Sequence, residues 1–368
     1  MTLSLPGEAL MLAHGALGAN YNENLDAVHF TELELARSRW LRGFYEMPET
    51  DHGDPAEHYA VTTILEAAGR GHRTIFSLKF PFRHGSFPSP GSAEMEVEIA
   101  RLDRVLPLVV GKVDILVVGN EPFIESNQEE LDHRLNDFYE CVASHVIAYA
   151  QKYDAEHRRT ALYMGSLTRL DLEEKRTPAT ERWMTFVRET PELEGVDIHP
   201  HLPDPESSQD FLDYILPRMR DDQTFLVTEF SLVWYWQNHL EEPVAQAFLD
   251  AYGLEAGTKV WEVIREALSS PFSEGQWMEF LEVCPWFMEH SDFLHDQMAM
   301  YRGTGRLAVA TYGFRQDGLM SRNFTSRSVP WLLNSVFAAY TVQQREHTAA
   351  PGFWLEAFRA LQEPPGPS

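Results

Sequence analysis

Val113-Asp-Ile-Leu-Val-Val-Gly-Asn-Glu-Pro122 is the stretch on which the reading of this 368-residue chain turns. Val113, Ile115, Leu116, Val117 and Val118 form a short β-branched apolar run of the kind that makes a buried strand. Gly119 then frees the backbone, Asn120 and Glu121 occupy the strand's carboxyl end, and Pro122 blocks any further ladder. Thr224-Phe-Leu-Val-Thr-Glu-Phe230 has the same design and also ends on a carboxylate, Glu229.

Working outward, similar strands are expected at Ala16–Asn22, Arg39–Tyr45, Thr74–Phe80, Thr160–Ser166, Gly195–His201 and Arg306–Phe314. Helical patterns lie between them, over 29–38, 59–68, 93–110, 180–190 and 211–219, and a last helix is expected over 328–344. Ser126-Asn-Gln-Glu129 has the form of a capping box opening a long amphipathic helix. Eight strands alternating with helices predict an α/β chain, a (β/α)8 TIM barrel. A doubly wound sheet is the structural alternative, but no glycine-rich phosphate turn follows any strand. The stretch from Trp234 to Thr304 is helical and aromatic and twice the usual spacing. The expected organisation is therefore one domain over 1–368, with a helical insert at about 237–304 between strands seven and eight.

Composition narrows the function classes. Apolar content of 44% and charged content of 23% are those of a globular chain that buries a core. Thirty basic against 56 acidic residues give a formal charge of -26, which argues against nucleic acid and anionic membrane as partners. Cys141 and Cys284 have no zinc or redox spacing and read as two free thiols. The first residues lack a basic, apolar leader, and no apolar run approaches the roughly 20 residues that span a bilayer, so a cytoplasmic chain is expected. The oligomeric state is not legible.

In such barrels chemistry gathers at the carboxyl ends of the strands. That rule collects Asn20, Arg42, Lys79, Asn120, Glu121, His199, His201, Glu229 and Tyr312. Strands four and seven face one another across the mouth, so Glu121 and Glu229 can approach one substrate. Paired carboxylates suit glycosidic cleavage, where one hands a proton to the leaving oxygen and the other attacks the sugar carbon. Arg42 offers a cation for Glu229. Trp234 and Trp236, just beyond Glu229, offer flat faces to a sugar ring, with pinning of the insert as the alternative. Trp277 and Trp286 read as core. Lys79 and Arg83 could hold an acidic group of a substrate or anchor a loop, and Glu125 is a fallback acid.

Asn120-Glu121-Pro122 ending strand four, with Glu229 ending strand seven 108 residues later, resembles clan A of the glycoside hydrolases, the retaining (β/α)8 group. The resemblance covers roughly Ala16 to Gln344. It implies Glu121 as general acid/base, Glu229 as nucleophile, Asn120 as a ligand of the sugar 2-hydroxyl, Arg42 as the arginine beside the nucleophile, and His199 or His201 as its support. The pattern departs at strand eight, where a Trp is frequent and this chain has Tyr312-Gly-Phe314. The implied function is retaining hydrolysis of an oligosaccharide or small glycoside without cofactor or metal. The alternative is a metal-dependent sugar isomerase or hydrolase in which Glu121 and the His199-Pro-His201 imidazoles hold a divalent ion. Strand five, without Asp or His, does not help that case.

Overall fold

A computed structural model describes residues 14–154, 160–316, 318 and 321–362. Eight parallel strands close into a barrel in sequence order: β1 (Ala16–Asn20), β2 (Trp40–Glu46), β3 (Arg73–Lys79), β4 (Ile115–Val118), β5 (Ala161–Thr168), β6 (Leu193–His199), β7 (Thr224–Val227) and β8 (Leu307–Gly313). β8 returns to β1 in the register Ala16 to Val309 and Asn20 to Gly313, which shuts the ring.

Helices cover the strands: α1 (Phe30–Leu35), α2 (Tyr59–Gly69), α3 (Ala93–Val109), α4 (His133–Asp154), α5 (Pro178–Glu189) and α6 (Ser208–Ile215). Local chemistry starts several of them. Ser92 accepts from the Met95 amide ahead of α3, and Thr177 accepts from the Thr180 amide with Pro178 in the first turn of α5. Between β7 and β8 run α7 (Val233–Asn238), α8 (Gln246–Tyr252), α9 (Val260–Ser269), α10 (Glu274–Glu282), α11 (Pro285–Met288) and α12 (Phe293–Gly303), the expected helical excursion. No helix among the described residues is long and apolar enough to cross a membrane.

The two-residue period of the strands sorts the apolar residues into two layers. Ile115 and Val117 point into the barrel with Trp40, Ile75, Tyr163 and Leu226. Leu116 and Val118 point outward into the larger layer beneath the helices. The same alternation carries polar side chains up the inside wall. Asp197, His199 and His201 rise along one line from β6, and Arg42 and Glu46, with Phe44 between them, along another from β2.

Two expectations fail. Ser126 does not cap a helix; Asn127 caps a short turn through the Glu129 amide, and α4 begins at His133. Residues 328–344 form no α-helix, only a short 3-10 turn. They hold a tight turn at Trp331–Asn334 and β9 (Phe337–Ala338), which pairs with β10 (Ala350–Pro351) ahead of α13 (Leu355–Ala360). The cause is competition for backbone amides. Val336 donates to the Gly313 carbonyl at 3.0 Å, and the Gln316 side chain takes the Tyr340 and Thr341 amides at 2.8 and 3.1 Å. Cys141, half-buried, and Cys284, buried, are free thiols, and burial pushes Cys284 up to about 12.

Candidate active site

The carboxyl ends of the strands surround a cavity of about 1380 Å³. β4 delivers its two polar residues through a backbone turn that its sequence makes compulsory. Gly119 has φ of +108°, and a Cβ there would stand 2.1 Å from the Gly165 carbonyl oxygen, so only glycine fits. Glu121 follows in the left-handed region at φ 46°, an uncommon place for a side-chain-bearing residue.

Arg42 lies wholly buried beneath the cavity and ties four strands together. Its Nη1 donates to Glu229 Oε1 at 2.6 Å, Asn22 Oδ1 at 2.8 Å and Asn20 Oδ1 at 3.1 Å. Its Nη2 donates to Asn120 Oδ1 at 2.6 Å and to Ser77 Oγ at 3.4 Å. Asn20, Asn120, Lys79, Glu121, Glu229, His199 and His201 line the cavity from the strand ends, and Trp234 lines it from the helix beyond Glu229.

His199 joins the two glutamates. Its Nδ1 is 3.1 Å from Glu121 Oε1 and 3.7 Å from Glu229 Oε1. The gap between those two oxygens therefore cannot exceed the sum of these distances. His201 Nε2 sits 3.5 Å from Glu229 Oε2 and 3.9 Å from Glu121 Oε1, with its Nδ1 on Ser231 Oγ at 2.8 Å.

The charges set distinct states on the carboxylates. Burial alone would raise Glu229, but the neighbouring His199 and Arg42 charges outweigh it and hold this carboxyl far below its usual range. Burial likewise opposes the charge on His199, yet Glu229, Asp197 and Glu121 together raise the imidazole to about 10. Glu125, one turn beyond Glu121, is buried and raised to about 7, chiefly by burial, with Lys79 drawing it down and Glu121 pushing it up. It stands 3.1 Å from Lys79 Nζ and contacts neither His199 nor Glu229 in any hydrogen bond or ion pair among the described residues.

Three sequence expectations are corrected. Trp236 is buried in the core against Phe287 and Trp354, because residues two apart on α7 face opposite sides and Trp234 takes the cavity side. Tyr312 is also core, packed on Phe230 and Trp354; its neighbour Gly313 faces the cavity, so the strand alternation turns Tyr312 outward. Lys79 is not a free cation for a substrate, since Glu46, Glu125 and Glu23 lie 2.9, 3.1 and 3.7 Å from its ammonium. Trp277 and Trp286 are core, as expected.

Other residues of the site escaped the sequence reading. Trp331, from the loop after β8, lines the cavity and sets its ring edge-on to His201 at 4.8 Å. Asp197, Thr228 and Ser166 form a buried group behind His199. The period-two pattern Asp197-Ile-His199 was the signal for Asp197; nothing local marked Trp331, which sits in a stretch that reads as helix.

Glu121, His199 and His201 present donor atoms within 4.8 Å of one another, the one such set of three among the described residues. Donors bound at about 2.1 Å to one ion stand no more than about 4 Å apart, so the set would have to contract to grip it. The ion would also sit near the Arg42 guanidinium, which bonds Glu229. The electrostatics here suit protons better than a divalent cation.

No family model and no curated protein matches the sequence. Solved structures do share its shape. Xylanase B from Clostridium stercorarium F9 superposes with a TM-score of 0.53 at 11% identity, over 96% of this chain and 99% of that one. A GH10 endoxylanase from a sugarcane soil metagenome gives 0.53 at 12%, again over 96% and 99%. Xylanase 10B from Thermotoga petrophila RKU-1, solved with xylobiose, gives 0.52 at 11% over 98% of each chain. At such identities the likeness is one of fold. The chain shares the (β/α)8 barrel of these xylanases.

Proposed function

We propose that this chain is one catalytic domain that hydrolyses glycosidic bonds of a carbohydrate with retention, by double displacement. One observation carries the reading: Glu121 and Glu229 share His199 Nδ1 at 3.1 and 3.7 Å. This keeps their oxygens closer than most of the range of about 6.5–9.5 Å in which inverting enzymes place a water between two carboxyls. The left-handed backbone at Glu121 supports it, because strained residues gather at working sites.

In this reading Glu229, ionised beside Arg42, attacks the anomeric carbon as Glu121 protonates the departing oxygen. Glu121 then takes a proton from the water that releases the sugar. Asn120, whose Oδ1 accepts from Arg42, is assigned the hydroxyl next to the anomeric carbon. Glu125 has the raised proton affinity of an acid, but its partner is Lys79 rather than the space over Glu229, so Glu121 is the better acid/base. The cavity is larger than the roughly 300–1000 Å³ of small-molecule sites, and Trp234, Trp331 and the exposed Tyr340 add flat faces along it. An oligosaccharide of several rings fits that shape better than a simple glycoside, although Arg265, Leu268 and Ser269 of α9 border the mouth.

The test is a screen of xylo-, gluco- and manno-oligosaccharides and aryl glycosides. Cleavage is expected for the intact chain, with loss in Glu229→Ala and its rescue by azide to a glycosyl azide of inverted configuration. Full activity of Glu229→Ala sinks the assignment.

A further inference from the structure

The hydrogen bonds around His199 fix where its protons sit. Asp197 is buried inside the barrel and accepts from the Thr228 amide, Ser166 Oγ and Thr228 Oγ1, a set of donors that keeps it ionised. Thr228 Oγ1 lies 2.5 Å from Asp197 Oδ2, and an ionised carboxylate only accepts, so the hydroxyl hydrogen points at Asp197. The other contact of that hydroxyl is His199 Nε2 at 2.8 Å, which must therefore donate. The opposite nitrogen, Nδ1, faces Glu121 Oε1 at 3.1 Å and Glu229 Oε1 at 3.7 Å. Two acceptors 3.1 Å apart need a hydrogen between them, and the Glu229 and Asp197 charges raise the ring's hold on it against burial, so it rides on Nδ1 and the ring is an imidazolium.

Asp197 is built as a fixed anion beneath this ring. Oδ1 accepts from the Thr228 amide at 3.0 Å, Oδ2 accepts from Ser166 Oγ at 2.6 Å, and Oδ2 stands 3.6 Å from His199 Nε2. Every titratable or charged group facing the ring can be named. Asp197 and His201 come from its own strand and its extension, Glu121 from the end of β4, Glu229 from the end of β7, and Arg42 from β2 beyond Glu229. Burial opposes the charge on the ring, and Glu229 and Asp197 outweigh it.

We infer that His199 is the proton store that loads Glu121 for cleavage, and that Asp197 is the positioning residue that keeps the store filled. The inference rests on the glycosidase reading. When substrate excludes water, the Nδ1–H bond breaks as a hydrogen forms on Glu121 Oε1. Glu121 passes that proton to the glycosidic oxygen while the C–O bond breaks and Glu229 bonds the sugar carbon. In the second half, Glu121 takes a proton from the attacking water and returns it to Nδ1, so the ring ends the cycle charged. A store of this kind answers a specific difficulty: Glu121 must be protonated at the moment of cleavage although it lies beside a charged donor in the free chain.

Two measurements test it. In the wild-type chain with nitrogen-15-labelled histidine, both His199 ring nitrogens are expected to carry hydrogen from pH 6 to beyond pH 8; a neutral His199 ring at pH 7 overturns the inference. Asp197→Asn keeps the shape and removes the charge. On a glycoside with a poor leaving group, the basic limb of kcat/KM should move down by about one pH unit or more, a tenfold loss at any pH on that limb. The acid limb, where the ring is charged in both proteins, should stay. An activated aryl glycoside, whose leaving group departs without a proton, should lose at least tenfold less. An unmoved basic limb, or equal loss on both substrates, overturns the role of Asp197. Should the variant fail to fold, the wild-type nitrogen-15 titration decides. Absence of any glycoside cleavage by the wild type sinks the parent reading instead, and leaves the protonation of His199 measurable.

Discussion

Arg42 Nη1 and Glu229 Oε1 lie 2.6 Å apart, although 187 residues separate them in the chain, and the guanidinium side chain has no exposure to solvent. The same guanidinium bonds Asn20, Asn22 and Asn120, so one buried cation sets both the charge of Glu229 and the pose of the polar residues around it. Arg42→Lys keeps the charge but cannot reproduce the fork. It is expected to lower kcat about 100-fold, comparable to losing one preorganised donor. Arg42→Met should in addition cost about 3–5 kcal/mol of stability, because Glu229 is left without its partner. Urea denaturation of both variants beside their kinetics checks this, and unaltered kcat in Arg42→Lys contradicts it.

The aromatic residues divide between two jobs. Trp331→Ala, at the cavity wall beside His201, should raise KM for an oligosaccharide about tenfold with little change in melting temperature. Trp236→Ala opens a void against Phe287 and Trp354 and should cost about 3–5 kcal/mol of stability. Exchange of these two phenotypes would show that the wall has been misplaced.

The raised His199 makes the fold sensitive to alkali. Its folded-state value of about 10 stands above the ordinary 6.5, so its contribution to stability is complete below about pH 6.5 and is lost as pH climbs toward 10. Melting temperatures between pH 6 and 10 should fall across that window. His199→Gln should begin lower and fall less steeply. Parallel curves for the two proteins would count against a charged ring.

Removal of metal provides a separate check. Glu121, His199 and His201 are the one candidate set of donors among the described residues, and their spacing and charges suit protons. Activity is expected to survive dialysis against EDTA and to gain nothing from added Zn²⁺, Mn²⁺ or Mg²⁺. Loss with chelator and recovery with one of these ions would favour the metal-dependent alternative.

Most of the barrel was legible because its strands carry a local signal: short β-branched runs, each stopped by glycine, proline or a polar residue. Arg42, Asn120, Glu121 and Glu229 were legible for the same reason, as each ends or lines such a run. What the sequence hid depends on direction and competition. Whether Trp234 or Trp236 meets the cavity is settled by the two-residue offset on a short helix, and Tyr312 is turned away by the phase of β8. Residues 328–344 have apolar spacing that passes for a helix, but Gly313 and Gln316 claim their amides first. Asp197 looked like an ordinary strand residue until Ser166 and Thr228, from two other strands, closed around it.

The central claim is that Glu229 and Glu121 cleave a glycosidic bond in two displacements, and the stereochemistry of the first product tests it most directly. Proton NMR of a cleaved oligosaccharide, recorded before mutarotation, should show the new reducing end in the same anomeric configuration as the bond that was broken. The opposite anomer as first product would contradict the account.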